Sequence, residues 1–216
     1  MTEPERDSEK DNVIEVFTDF VCPWCYLGEK HLQQAMHDKN TRVQYVYFPL
    51  HPETTAGGMT LQQLFAGRGI DVERNQEQLR LMMRNEGLPY GTRTHTYNSR
   101  RAQELAKHIE MSDDEAVRSK ASNFRAAVFL AYFGEGENIA ELEVLGGICE
   151  RSGLLEFDVE EILCDPKGAS AVDADWGHCR QMNVTGVPAY RFRGNWLHGC
   201  RGPEALESLI RVERAE

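Results

Sequence analysis

The sequence predicts an α/β fold in which a small sheet is interrupted by a long helical insertion. Three observations predict it. The first fifty residues read as strand, helix, strand; the pattern from Thr60 to about Met182 is helical almost throughout; and the C-terminal part returns to two alternating strands and a helix.

Each element follows from its residues. NVIEVFTDF, Asn12 to Phe20, alternates and is rich in Val, Ile and Phe, as a strand requires. Cys22-Pro23 then opens a helix to about His37, with Pro23 at the first helical position, where a missing N–H costs nothing. RVQYVYFPL, Arg42 to Leu50, is a second strand, so a parallel βαβ unit is expected. After the loop HPETTAGGMT, candidate helices fall at 60–67, 72–86, 99–110, 114–133, 138–151, 156–163 and 168–182, broken at Gly69, Gly87-Leu88-Pro89, Gly134-Glu135-Gly136 and Gly153. Asn98 or Ser99 can cap one of them, and Ser112 or Asp113 the next. VPAYRFRG and NWLHGC alternate around an Arg193-Gly194-Asn195 turn, and Pro203 opens the last helix, PEALESLIRVERA. The division expected is a tail over 1–11, a first sheet part over 12–59, the helical insertion over 60–167 and a second sheet part over 168–216.

Composition narrows the function classes. The 216 residues are 41% hydrophobic and 27% charged, as in an ordinary globular protein. The formal net charge of −11 repels phosphate backbones and argues against nucleic acid as a general partner. No apolar run approaches a membrane span, so no membrane partner is expected. The start, MTEPERDSEKDN, lacks the basic and apolar regions of a secretory signal, which for a complete chain predicts a cytoplasmic protein. Structural disulfides are rare there, so the six cysteines are read one by one.

Cys22 and Cys25 form the one closely spaced pair. With Cys22 at the helix N-cap, both sulfurs can reach disulfide geometry, and the positive end of the helix dipole favours the Cys22 thiolate. Cys22, at the helix edge, is the sulfur a partner reaches; Cys25, one turn in, is placed to resolve a mixed disulfide. Structural zinc, packed thiols and a static disulfide are the competing readings. Zinc normally takes four ligands and here finds one pair, with His31 as the nearest histidine. The pattern favours redox chemistry, and no metal is expected.

DFVCPWCYLG, FPLHPET, YNSRRAQELA, AYFGEGENIAELEVL and VTGVPAY, in that order, resemble segments of the DsbA-like thiol–disulfide oxidoreductases of the thioredoxin superfamily, most of all the FrnE-like branch. The resemblance implies a thioredoxin fold with an inserted helical subdomain. It implies Cys22 and Cys25 as the catalytic pair, Pro23 and Trp24 as the rest of the motif, a cis bond between Val187 and Pro188, and substrate contacts at Val187, Pro188 and Phe20. The strongly oxidising periplasmic relatives carry histidine between the cysteines. Trp24 has no charge to offer, so a less acidic Cys22 and a more stable disulfide are expected here. Trp24 can offer an apolar surface to a substrate or pack against the insertion.

Further cleft residues are expected at His51, a candidate for proton transfer near neutral pH, and at Tyr97 and Asn98 on the helical side. Cys149, Cys164 and Cys179 read as packed thiols, and Cys200 as exposed and oxidisable. The function expected is exchange of disulfides with protein or small-molecule thiols, with no cofactor beyond the redox pair and glutathione as a candidate co-substrate. The alternatives are a glutathione-dependent isomerase or transferase of the 2-hydroxychromene-2-carboxylate isomerase or kappa type, in which serine typically replaces the first cysteine, and a protein adaptor without turnover.

Overall fold

The computed structural model describes residues 12–36 and 41–211; the predicted tail over 1–11, His37 and residues 212–216 lie outside them. Strands β1 (Val13–Thr18), β2 (Arg42–Tyr47), β5 (Ala189–Phe192) and β6 (Asn195–His198) make one four-stranded sheet in the order β2-β1-β5-β6. β1 runs parallel to β2, whereas β5 is antiparallel to both β1 and β6, so the sheet is mixed. The remaining strands, β3 (Met59–Thr60) and β4 (His95–Thr96), pair only with each other. They are two residues each, too short for an alternation to show in the sequence.

The chain divides into two compact units, one of 1–48 with 175–216 and one of 49–174. The first holds the four-stranded sheet, helix α1 (Pro23–Ala35) and the last helix, α10 (Pro203–Ile210). β1 is covered on both faces: Ile14, Val16 and Phe17 are at most 4% exposed. Its one acidic residue, Glu15, is neutralised across the sheet, because Arg191 stands opposite it on β5 and donates to it at 2.8 Å, with His178 Nε2 also 2.8 Å away. Phe17, Val46, Cys179, Val184 and Ala189 form a buried cluster on which Val187 and Trp196 pack.

The second unit holds α2 (Leu61–Leu64), α3 (Val72–Asn85), α4 (Arg100–Glu110), α5 (Glu115–Arg118), α6 (Ala121–Phe129), α7 (Leu142–Arg151) and α8 (Val159–Cys164). Helix α9 (Pro166–Gln181) runs across the boundary between the units. The helix expected over 114–133 is three pieces: α5, α6 and a wider π turn over Leu130–Glu135 that Gly136 ends at φ 75°. Asp114 caps the start of α5 by accepting from Ala116, and α5 ends at Ser119, whose hydroxyl turns back to donate to the Ala116 carbonyl at 2.8 Å. The helix expected over 60–67 keeps only Leu61–Leu64, opened by a reciprocal Thr60–Gln63 capping box.

Two cysteines read as packed thiols are packed: Cys149 and Cys179 are at most 1% exposed, and burial pushes both thiols up to about 12, with Glu150 and Asp175 respectively adding to the effect. Cys164 corrects the sequence reading. It is exposed, since it is the last residue of α8 and the turn ends before its face is covered.

A pKa raised in the folded protein means that folding holds the proton more tightly. The stability this gives is complete below the ordinary thiol value of 9.0 and is lost as pH rises from there towards about 12. Urea unfolding of the reduced protein should show stability falling from pH 9 to 10 by up to about 1.4 kcal/mol for each such thiol. Cys149→Ala and Cys179→Ala should each flatten that slope; an unchanged slope in both would contradict the assignment.

Candidate active site

The first unit brings Cys22, Cys25, Val187 and Pro188 together. β1 ends at Thr18, and the chain turns through Asp19, whose carboxylate accepts from Val21 N–H at 3.0 Å while its carbonyl accepts from Cys22 N–H at 3.2 Å. That turn delivers Cys22 to the N-cap of α1, in extended conformation at φ −92°, with Pro23 directly after it. The carbonyl of Cys22 then accepts from Cys25 N–H at 3.0 Å and starts the helix.

Cys22 Sγ makes no capping hydrogen bond to the helix N–H groups. Its thiol donates instead to the Val187 carbonyl at 3.4 Å. The Val187–Pro188 peptide bond is cis, and the Pro188 carbonyl is held by Gly199 N–H at 2.8 Å. At 4% exposure Cys22 is more enclosed than the helix-edge position suggested, while Trp24 beside it is 40% exposed.

Cys25 is 2% exposed and within hydrogen-bonding reach of Cys22. Burial holds its pKa well above the ordinary thiol range, and the Cys22 sulfur beside it pushes the same way. The Thr18 hydroxyl and the Asp19 backbone N–H act in the opposite sense, because both donate to the sulfur and so favour a thiolate. Both residues escaped the sequence reading. Thr18 looks like an ordinary strand residue, and a backbone donor leaves no sequence signal.

A close helix–sheet approach fixes this geometry. Cys25, Gly28, His31, Leu32 and Ala35 form the buried face of α1. A Cβ on Gly28 would lie 2.3 Å from the Tyr190 hydroxyl oxygen and 3.4 Å from Cγ of Pro188, so only glycine lets α1 lie directly on the start of β5. Farther along, His31 Nδ1 stands 3.3 Å from Cys200 Sγ. Cys200 is therefore half-buried against an imidazole, not the open thiol that its place after the last strand suggested.

Phe20 is a second correction. It is fully buried, with its ring 5.3 Å from that of Tyr47, so it belongs to the core and presents no surface to a substrate.

His51, Tyr97 and Asn98 lie in the second unit. Asn98 fastens the His51–Thr54 loop to the start of α4: its amide donates to the Thr54 carbonyl at 2.7 Å, and its side-chain oxygen accepts from Arg100 N–H at 2.9 Å. Tyr97 stacks on His95 at 6.0 Å and fills the space left by Gly58, whose φ of +83° and lack of a Cβ the contact requires. Burial lowers the pKa of His51, so its imidazole is neutral at neutral pH and can accept a proton. Among the described residues no group of histidines, cysteines and carboxylates is arranged to hold a metal ion, and no helix is long and apolar enough to cross a membrane.

The model of the DSBA-like thioredoxin domain matches residues 13–211. Among solved structures, the probable DsbA oxidoreductase of Streptomyces coelicolor superposes with a TM-score of 0.81 at 23% identity, over 94% of this chain and 92% of its own. A 2-hydroxychromene-2-carboxylate isomerase does so at 0.67 and 21% identity, over 91% and 93%. The cytosolic disulfide reductase DsbM of Pseudomonas aeruginosa, solved with GSH, does so at 0.63 and 18%, over 93% and 100%. At these identities the likeness is one of fold.

The Gly28 contact is directly testable. Gly28→Ala should lower unfolding stability by about 1–3 kcal/mol, because the overpacking exceeds the ~1 kcal/mol that alanine gains in a helix. In a Tyr190→Phe background, which lacks the obstructing oxygen, the same substitution should be neutral or stabilising. Equal costs in the two backgrounds, measured by denaturant titration, would refute the contact.

Proposed function

The chain belongs to the DSBA-like thioredoxin-domain family, and on that premise we propose that it is a thiol–disulfide oxidoreductase whose working groups are Cys22 and Cys25. The observation that carries this reading is the pairing of a Cys22 thiol on the Val187 carbonyl with a second, buried thiol one turn into the helix.

The two environments divide the labour. The bond from Cys22 to Val187 requires the thiol proton, so ionisation releases it and leaves the positive end of α1 as the favourable neighbour of the thiolate. The thiolate attacks one sulfur of a substrate disulfide; a mixed disulfide forms and one substrate thiol leaves. Cys25 then loses its proton, assisted by the donors at Thr18 and Asp19, and attacks Cys22 Sγ. The second substrate thiol departs, two electrons have passed to the substrate, and Cys22–Cys25 is a disulfide. Two external thiols, with glutathione as the candidate, return it to the dithiol. The reverse sequence oxidises a substrate.

Exposed Thr185 and Gly186 precede half-buried Val187, which suits pairing with an extended peptide segment, and exposed Trp24 offers it an apolar contact. The partners in this reading are protein or small-molecule thiols and disulfides, without nucleic acid or membrane. A cytoplasmic setting is supported by the likeness in fold to the cytosolic disulfide reductase of Pseudomonas aeruginosa. The likeness in fold to the isomerase supports a second reading, glutathione-dependent isomerisation, which needs no resolving cysteine.

Variants separate the two. Cys22→Ser should abolish disulfide exchange, and Cys25→Ser should stop turnover while accumulating mixed disulfides on Cys22, seen by mass spectrometry of the trapped protein. Full activity in Cys25→Ser would reject the dithiol mechanism and favour the isomerase. Equilibration of the wild-type pair in glutathione buffers sets the direction. A potential above the cytosolic poise of about −220 to −320 mV gives a resting dithiol suited to reducing or isomerising disulfides, and one below it gives a disulfide that needs a dedicated reductant.

A further inference from the structure

The exchange mechanism leaves one nucleophile–base pair in the first unit unused. Cys200 lies in the turn after β6, between Gly199 and Gly202, which both adopt positive φ. Its sulfur is 3.3 Å from Nδ1 of His31, within reach for the thiol to donate to the imidazole. His31 is 7% exposed and fixed on the buried face of α1, whereas Cys200 keeps part of its surface open. A base held from inside, beside the thiol of a residue that is partly exposed, is the arrangement of an activated nucleophile.

A cation stands over the same turn. Arg201 folds back so that Nε donates to the His198 carbonyl at 3.2 Å, which lays its side chain across Gly199, at 3.9 Å from where a Cβ would be. A guanidinium beside this turn attracts an anionic reagent. The remaining thiols differ: Cys149 and Cys179 are sealed in the interior, and Cys164 is the exposed one.

We propose that Cys200, with His31 as its base and Arg201 as its cationic neighbour, is a second thiol-exchange site that takes small, carboxylate-bearing disulfides. The Cys200 proton passes to His31 Nδ1 and the thiolate attacks one sulfur of the disulfide. A bond forms between that sulfur and Cys200 Sγ, the original S–S bond breaks, and the departing thiolate takes the proton back. No outside oxidant is needed, since the small disulfide is itself reduced to one free thiol and one protein-bound half.

The site is tested apart from the Cys22–Cys25 mechanism by using the full chain with Cys22→Ser and Cys25→Ser, so that neither result bears on the other. Glutathione disulfide is added at pH 7 and adducts are mapped over time by peptide mass spectrometry. Cys200 should acquire the adduct at least ~5-fold faster than Cys164, although Cys164 is the more exposed. His31→Gln should slow modification of Cys200 by at least about tenfold and leave Cys164 unchanged. Arg201→Gln should slow the reaction with glutathione disulfide but not with uncharged hydroxyethyl disulfide. Modification of Cys164 as fast as Cys200 in the parent, a comparison needing no change at the buried histidine, overturns the proposal, as does an undiminished Cys200 rate in His31→Gln. Equal effects of Arg201→Gln on both reagents overturn the anionic preference.

Discussion

Everything at the candidate site depends on how closely α1 lies on the start of β5. Gly28 meets the Tyr190 hydroxyl where any side chain would collide, and Pro188 sits beside the same contact. A helix lifted by one methyl group would carry Cys25 away from the donors at Thr18 and Asp19, and Cys22 away from the Val187 carbonyl. It would also part His31 from Cys200. Tyr190 pays the cost of this closeness: its hydroxyl is buried, and that burial, with the sulfurs of Cys25 and Cys200 nearby, holds its pKa well above the usual phenol range.

The cysteines show how far environment separates chemically identical groups. Burial holds Cys149 and Cys179 protonated, and the carboxylates of Glu150 and Asp175 push the same way, so they are packing residues with a weak donor. Cys25 is as deeply buried, yet hydroxyl and amide donors reach its sulfur, so a thiolate there has somewhere to place its charge. Cys22 donates to a carbonyl, whereas Cys200 lies beside an imidazole. A carbonyl stabilises only the protonated thiol, whereas an imidazole can take the proton.

Where a signal was local, the sequence carried it. β1, α1 and β2 could be read from alternation, from Pro23 at the first helical position and from the spacing of Cys22 and Cys25. Signals made by distant residues could not. His31 and Cys200 are 169 residues apart, and neither position is unusual alone. The split of the 114–133 helix rests on the back-bonded Ser119 that ends α5 and on a π turn, both weaker than the apolar periodicity that continues through them. Phe20 looked available because it adjoins the motif, but adjacency in sequence says nothing about which way a ring points, and this one points at Tyr47. Asn98 stood out for good reason, although the hydrogen bonds it makes are those of a fastener between a loop and a helix.

The sheet is assembled from the two ends of the chain, and this has a consequence during synthesis. β1 finds β2 early, but its other neighbour, β5, is made only after the whole second unit. Cys22 and the carbonyl that receives its thiol are 165 residues apart. At ~5–20 residues per second, the ribosome leaves the cysteine motif without that carbonyl for about 8–33 s. For that interval β1 has an open edge and the Cys22 thiol lacks its acceptor. A chain truncated before β5 would carry both cysteines without the carbonyl that holds the Cys22 proton.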